Sequence, residues 1–250
     1  EGPRVRLSHT GVQSYLSSPF GYLLERLLRI EELDFDPQEA SALVVGRFYH
    51  DILKRLNEEL REQDVLFSPD QGDTIFAALD GASTTVGEHY VKRELGVPEP
   101  VMRLLAQRAP LLLRRALEKE LERAASYRVS YVEEPFDEPF EEGYDLVGRV
   151  DLMGVTEEGG YTILDYKKGH LPTAKSIAPE EDGSLSALGS LQLPMYCLAM
   201  ERKHGRRVEQ SEELYYLSVE RGELRYLRSE NGSGGKGSLS GEQFLRFMDE

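Results

Sequence analysis

Cysteine is almost missing from this chain: Cys197 stands alone, so no internal disulfide can form and no Cys-rich zinc site can assemble. That usage suits a reducing compartment, and the cytoplasm is the expected location. Long apolar runs are also missing. No stretch approaches the ~18 consecutive apolar residues that a membrane span needs, and no charged start leads into a hydrophobic leader. A soluble protein without a membrane partner is expected. Positive charge is in deficit, with 30 Lys and Arg against 45 Asp and Glu and a formal net charge of −15. Generic affinity for nucleic acid comes from cationic side chains that neutralise phosphates, so this chain could hold a polyanion only through cations concentrated locally. Part of the acid fits solvated helix faces, as in Glu58-Glu59-Leu60-Arg61-Glu62. No internal repeat is evident.

What is present suffices for a large fold. A chain of 250 residues can bury a real core, as a single domain over 1–250 or as a domain with a helical insertion. It starts Glu1-Gly2-Pro3 and stops in Glu242-Gln243-Phe244-Leu245-Arg246-Phe247-Met248, which reads as a helix still in progress. A fragment of a longer protein is expected.

The first half reads as helical. Thr10 can cap a short helix carrying Val12, Tyr15 and Leu16, and Ser18-Pro19 supplies a cap and first-turn proline for a second helix through Ile30. There Phe20, Leu23, Leu24, Leu27 and Leu28 recur at helical spacing, so one face should pack on the core. The same period runs through residues 41–61 with Val44, Val45, Phe48, Ile52, Leu53 and Leu56, and two further helices are expected over 73–95 and 99–125. Residues 64–126 thus form a possible helical insertion. From Arg128 onward, β-branched and aromatic residues between turn-forming clusters predict strands over 127–136, 143–154, 161–167, 214–219 and 223–227, with a helix over 191–204. Residues 229–238 read as a flexible loop or linker. Gly235-Lys236 within it is no phosphate-binding loop, because Glu230 stands where the first glycine belongs and Gly237 where a magnesium-binding Ser or Thr belongs.

The chemistry concentrates in Gly148-Arg149-Val150-Asp151-Leu152-Met153 and Tyr161-Thr162-Ile163-Leu164-Asp165-Tyr166-Lys167, joined by the glycine-containing turn 156–160. If Val155 pairs with Tyr161, Asp151 falls opposite Asp165, with Cβ atoms about 4.5 to 5.5 Å apart. Lys167, two residues on, shares that face, and the opposite face carries Val150, Leu152, Leu164 and Tyr166 for helices to cover. Two carboxylates this close repel unless a proton or cation lies between them, which makes them a natural site for a hard divalent metal. Magnesium or manganese fits. Such a metal holds a phosphate oxygen and acidifies bound water, while a lysine orients that water and stabilises developing negative charge. The plainer alternative is an ion-pair cluster of Asp151, Asp165, Lys167 and Arg149 on an exposed sheet face.

Asp151 followed by Asp165-Tyr166-Lys167 resembles the core of the PD-(D/E)xK nuclease superfamily, and three more segments stand in the order of its RecB-like and AddB-like branch. Leu7-Ser8-His9-Thr10 with Tyr15, Ser18, Pro19 and Phe20 resembles its opening helix, Gly46-Arg47-Phe48-Tyr49-His50 its histidine motif, and Gln192-Leu193-Pro194-Met195-Tyr196 its QxxxY motif. The resemblance implies that His50, Asp151, Asp165 and the Tyr166 backbone carbonyl are metal ligands and that Lys167 is the catalytic lysine. It also implies that Gln192 and Tyr196, one helical turn apart, present polar tips towards the site or the DNA backbone. Read alone, His50 is a satisfied, partly buried helix residue, and Gln192 and Tyr196 are a hydrogen-bonded pair on a helix surface. Pro194 implies a helix that starts late or kinks.

One departure is clear. Many AddB-like nucleases place a cysteine before the proline matching Pro19 and three more near the C-terminus, to hold an iron–sulfur cluster; here Ser18 takes that place, and one thiol cannot build a four-cysteine cluster. No cluster is expected, and packing must hold the two ends. The fold implied is α/β, a mixed central sheet flanked by helices with a restriction-endonuclease-like core and a helical N-terminal half. The function implied is metal-dependent hydrolysis of DNA, as the exonuclease module of a helicase–nuclease acting in recombination and repair. Its partners would be DNA, taken at single-stranded ends, and a helicase motor or partner subunit. Two alternatives stay open: a non-catalytic nucleic-acid-binding or scaffold module, and a metal-dependent hydrolase of another substrate.

Overall fold

The computed structural model describes residues 4–29, 37–92, 97–172, 190–229 and 238–249. A short strand β1 (Val5–Leu7) leads into helices α1 (His9–Ser17) and α2 (Pro19–Tyr22), a π-helical turn (Leu23–Leu27) and the long helix α3 (Pro37–Glu62). Strand β2 (Leu66–Phe67) and helices α4 (Gly72–Val91) and α5 (Glu99–Arg123) follow, then strands β3 (Tyr127–Pro139), β4 (Tyr144–Thr156) and β5 (Tyr161–Lys167). Helix α6 (Gln192–His204), strands β6 (Ser211–Ser218) and β7 (Glu223–Ser229) and helix α7 (Gly241–Asp249) complete the order. The predicted linker 229–238 lies mostly outside the described residues; Ser229, at its start, belongs to β7. Among the described residues, no helix is long and apolar enough to cross a membrane.

The sheet runs β2-β3-β4-β5-β6-β7, with β1 added to β4 in parallel. It is mixed, since β5 and β6 are parallel while the neighbouring pairs are antiparallel. A parallel pair needs a crossover, and α6 lies within it. Helices cover both faces, so β5 and β6 are buried almost throughout. On one face α3, α4 and α5 contribute Phe48, Ile52, Ile75, Leu79 and Leu113 against Leu152, Leu164, Tyr166 and Tyr215. On the other, α6 and α7 contribute Leu193, Met200 and Phe244 against Met153, Ile163, Leu214 and Tyr216. Fully burying a side chain such as Phe48 or Ile52 is worth about 1.5 to 3 kcal/mol, and Val45, Phe48, Ile52, Leu53, Leu56 and Leu60 of α3 are buried in this way.

Two local expectations are corrected. The first cap is Ser8 rather than Thr10, with its hydroxyl accepting from the Gly11 N–H, while Ser18 and Pro19 start α2 as expected. The helix after Pro19 does not pack a face on the core: it passes into the π turn, closed by the Leu28 N–H on the Leu23 carbonyl, and Phe20 and Leu27 are 69% and 62% exposed. Helical spacing finds an apolar face but cannot say whether anything covers it. Pro194 causes no kink, because it sits in the first turn of α6, where helical N–H groups lack intrahelical acceptors.

Candidate active site

The site opens where the sheet does. On the side of β4 away from β3, β1 pairs as far as Leu146 and β5 begins at Leu152. Residues 147–151 therefore have no strand partner on that side among the described residues. The expected register holds from Val155↔Tyr161 to Leu152↔Leu164 and then stops. Asp151 and Asp165 are not ladder partners, because the β4–β5 ladder ends at Leu152↔Leu164, while on the other side of β5 Asp165 aligns with Tyr216 of β6. In place of the next ladder rung, the Asp151 carboxylate accepts the Tyr166 N–H at 2.9 Å.

A second correction explains what Asp151 faces. Val150 does not share the face of Leu152, Leu164 and Tyr166; it packs with the α6 cluster. The alternation of β4 switches phase at Asp151. Opposite it, β3 switches too, with Val132 on the α3 side and Phe136 on the α6 side. Between them Glu133 has φ +49°, in the left-handed region that only glycine enters without cost. Period-two reasoning assumes an unbroken pleat, and here the pleat breaks in two neighbouring strands.

On the α6 side, Asp165 is the hub and is 1% exposed, which excludes the reading as an exposed ion-pair cluster. The Lys167 ammonium lies 2.7 Å from Asp165 Oδ2 and donates to Gln192 Oε1 at 2.8 Å. The Gln192 amide donates to Asp165 Oδ1 and, at 2.7 Å, to the Tyr196 hydroxyl. Gln192 and Tyr196 are thus buried against the sheet rather than paired on a helix surface. His9, at the start of α1, stands edge-on to the Tyr196 ring at 6.2 Å. Burial and the nearby Lys167 charge lower its pKa, so sequence reasoning placed His9 in a motif but missed it at the rim of the site.

On the α3 side, His50 projects between the buried turns of Tyr49 and Leu53, its Nδ1 3.7 Å from Asp151 Oδ2 and 3.8 Å from Glu133 Oε1. Its ring stands edge-on to that of Tyr166 at 6.2 Å. Glu133 was not singled out in the sequence; the only signal was the acid pair Glu133-Glu134 inside a strand. A cavity of about 380 Å³ joins the two sides and is lined by Gly46, His50, Asp151, Asp165, Lys167 and Gln192 among others. Burial, with the Asp165 charge, pushes the Asp151 carboxyl up to about 8. Burial lowers the His50 pKa, but Glu133 and the charges of Asp151 and Asp165 outweigh it and raise the imidazole to about 9.

An imidazole beside crowded carboxylates is a donor set suited to a divalent cation, and the Asp151 carboxyl, raised first by burial and then by the Asp165 charge, is a group whose ionised form a cation would favour. The cationic supply is modest. Arg149 and Lys168 face carboxylates themselves, Arg149 at 3.1 Å from Glu133 and Lys168 at 3.9 Å from Glu220.

Comparison with known proteins adds two findings. Residues 6–246 match the family described as the PD-(D/E)XK nuclease superfamily. The chain is also 26% identical over 188 residues to an ATP-dependent helicase/deoxyribonuclease subunit of Carboxydothermus hydrogenoformans, an alignment covering 68% of this chain but 16% of that protein.

Proposed function

This chain belongs to the PD-(D/E)XK nuclease superfamily, and on that premise we propose that it hydrolyses DNA phosphodiester bonds, as an exonuclease module acting on single-stranded ends. The observation that carries this reading is the contact network of Asp165, Lys167 and Gln192, set beside Asp151 and His50 on one cavity. Members of the superfamily generally depend on a divalent metal, and magnesium or manganese is proposed here, with no iron–sulfur cluster. His50, Asp151, Asp165 and the Tyr166 carbonyl would hold the ion. Bound there, it supplies electrophilic help at a phosphate oxygen and an acidified water. Lys167, fixed by Asp165 and Gln192, orients the attacking water and steadies charge growing on the phosphate. Tyr196 fixes the far end of Gln192.

Context belongs to the same proposal. The relative is a helicase/deoxyribonuclease subunit of which this chain matches a small share, and a net charge of −15 repels a polyanion at long range. A motor or partner subunit that feeds the strand would replace intrinsic affinity, in recombination and repair in the cytoplasm. We place residues 1–250 in one nuclease domain of such a longer protein. Residues 64–126, with β2, α4 and α5 packed beside α3, are its helical elaboration.

The test is end-labelled single-stranded, double-stranded and circular DNA, incubated with magnesium, manganese or chelator, for the wild type, Asp165→Ala and Lys167→Ala. Metal-dependent shortening from ends is expected for the wild type alone, with metal binding weakened in Asp165→Ala and retained in Lys167→Ala. Wild-type cleavage by either variant would remove the assignment. DNA binding without cleavage by the wild type would leave a non-catalytic module.

A further inference from the structure

Two adjacent acids in the middle of β3 have opposite fates. Glu134 turns to α6, 2.7 Å from the Lys203 ammonium and 3.1 Å from His204 Nε2. Those ion pairs account for it. Glu133 turns to α3, and the break in the pleat at its positive φ is what sends it there. An ordinary strand would use one alternation throughout. Here the phase switch sets Glu133 and Asp151, neighbours on paired strands, towards the same imidazole. One donor atom from each of His50, Glu133 and Asp151 lies within 4.8 Å of the others. The second Glu133 oxygen is not spare, since Arg149 Nη1 sits 3.1 Å from it and fixes the carboxylate's orientation.

We propose that Glu133 is a further cation ligand of this site, joining His50, Asp151, Asp165 and the Tyr166 carbonyl around a divalent ion at the sheet opening while Arg149 orients Glu133 from outside. This deepens the nuclease reading and rests on it for the expectation of a divalent metal. Two consequences follow from ordinary coordination chemistry. A further anionic ligand strengthens binding in a site that is short of positive charge. An imidazole in the set favours manganese over purely oxygen-seeking ions such as calcium.

The competing explanation is that Glu133 only orients His50 and never touches the ion. Affinity alone would not separate the two, because removing an orienting partner also weakens metal sites by roughly 10- to 100-fold. Inner-sphere hydration does separate them. A lost ligand is replaced by water on the ion, whereas a lost orienting group leaves the coordination number filled as before.

The experiment titrates manganese into the full chain by calorimetry and reads bound water by proton relaxation, for the wild type, Glu133→Gln, Glu133→Gly and Arg149→Ala. Glu133→Gly guards against misfolding, because glycine adopts the positive φ without strain. Expected for both Glu133 variants is manganese binding weaker by about tenfold or more, with one added water on the bound ion, and for Arg149→Ala unchanged hydration. Unchanged affinity in the Glu133 variants, or weaker affinity with unchanged hydration, would overturn the proposal. DNA cleavage is scored separately, so a wild type that binds manganese in this way but cuts nothing defeats the nuclease reading and leaves the ligand assignment standing.

Discussion

Glu120 of α5 offers a test of the buried architecture beneath the sheet. It is fully buried, and its Oε1 accepts from the Tyr127 hydroxyl at 2.7 Å and the Tyr215 hydroxyl at 2.8 Å. Burial pushes its carboxyl up to about 7, against the opposing pull of those two hydrogen bonds. In the unfolded chain it titrates near the ordinary value of 4.5. The folded state therefore keeps the proton that the unfolded state gives up. The group's contribution is fully present below pH 4.5, declines as pH rises from there, and is gone above about 7. At 1.36 kcal/mol per pKa unit, the difference amounts to about 3 kcal/mol. For a domain of this size that is roughly 6 to 12 °C in Tm. Glu120→Gln keeps an oxygen for the tyrosines and has no proton to lose. Thermal melts of both proteins at pH 4 and pH 8, in chelator, should show the wild type losing about that much more than the variant. Asp151 and His50 titrate in both proteins and cancel in the comparison. Burying the new amide carries a pH-independent cost of about 1 to 3 kcal/mol, so the pH difference is the readout rather than either Tm. Parallel melting curves across that pH range would refute the assignment of Glu120 as a buried, proton-holding acid.

With both Asp151 and His50 raised, to about 8 and 9, metal binding must expel protons; manganese affinity should climb by about tenfold to 100-fold per pH unit from pH 6 to 8, one to two protons being released, and a flat profile in calorimetry would contradict the shared site. Gln192→Ala releases both Lys167 and Asp165 and should lower kcat on labelled DNA by about 100-fold with manganese binding intact; an unchanged kcat would remove Gln192 from the machinery. Gly154→Ala puts a methyl 2.2 Å from the buried Tyr127 ring and should lower stability by about 1 to 3 kcal/mol or more, read from the urea midpoint. Cys197 is wholly buried, so Cys197→Ser should cost about 1 to 3 kcal/mol yet cleave at the wild-type rate, and iron analysis should find none in either protein.

Much of the frame was legible in residue order. The 3.6-residue period of Phe48, Ile52, Leu53 and Leu56 marked α3, because a helix that buries one stripe must repeat apolar residues at that spacing. The Val155↔Tyr161 hairpin register was legible too, since a short glycine-containing turn leaves few ways to pair its flanks. That register put Asp151, Asp165 and Lys167 in one region of the sheet, while it was the resemblance to the RecB-like motifs that nominated His50, Gln192 and Tyr196. Both rules are local, and both work where the chain is regular.

What the sequence could not decide lies where regularity fails. The apolar spacing of Phe20, Leu23 and Leu27 is as good as that of α3, yet burial depends on a facing partner, and a helical period carries no information about one. Val150 was expected on the face of Leu152, but a left-handed φ at Glu133 and the phase switch at Asp151 send Val150 to one core and Glu133 to the other. Sequence alone nominated most of the side chains of the proposed chemistry. Tertiary structure decided which of them meet, because along β4 the pairing with β1 stops at Leu146 and the pairing with β5 starts at Leu152. Only that interruption leaves Asp151 free to reach the Tyr166 N–H from one strand while α3 brings His50 and α6 brings Gln192 to the same opening.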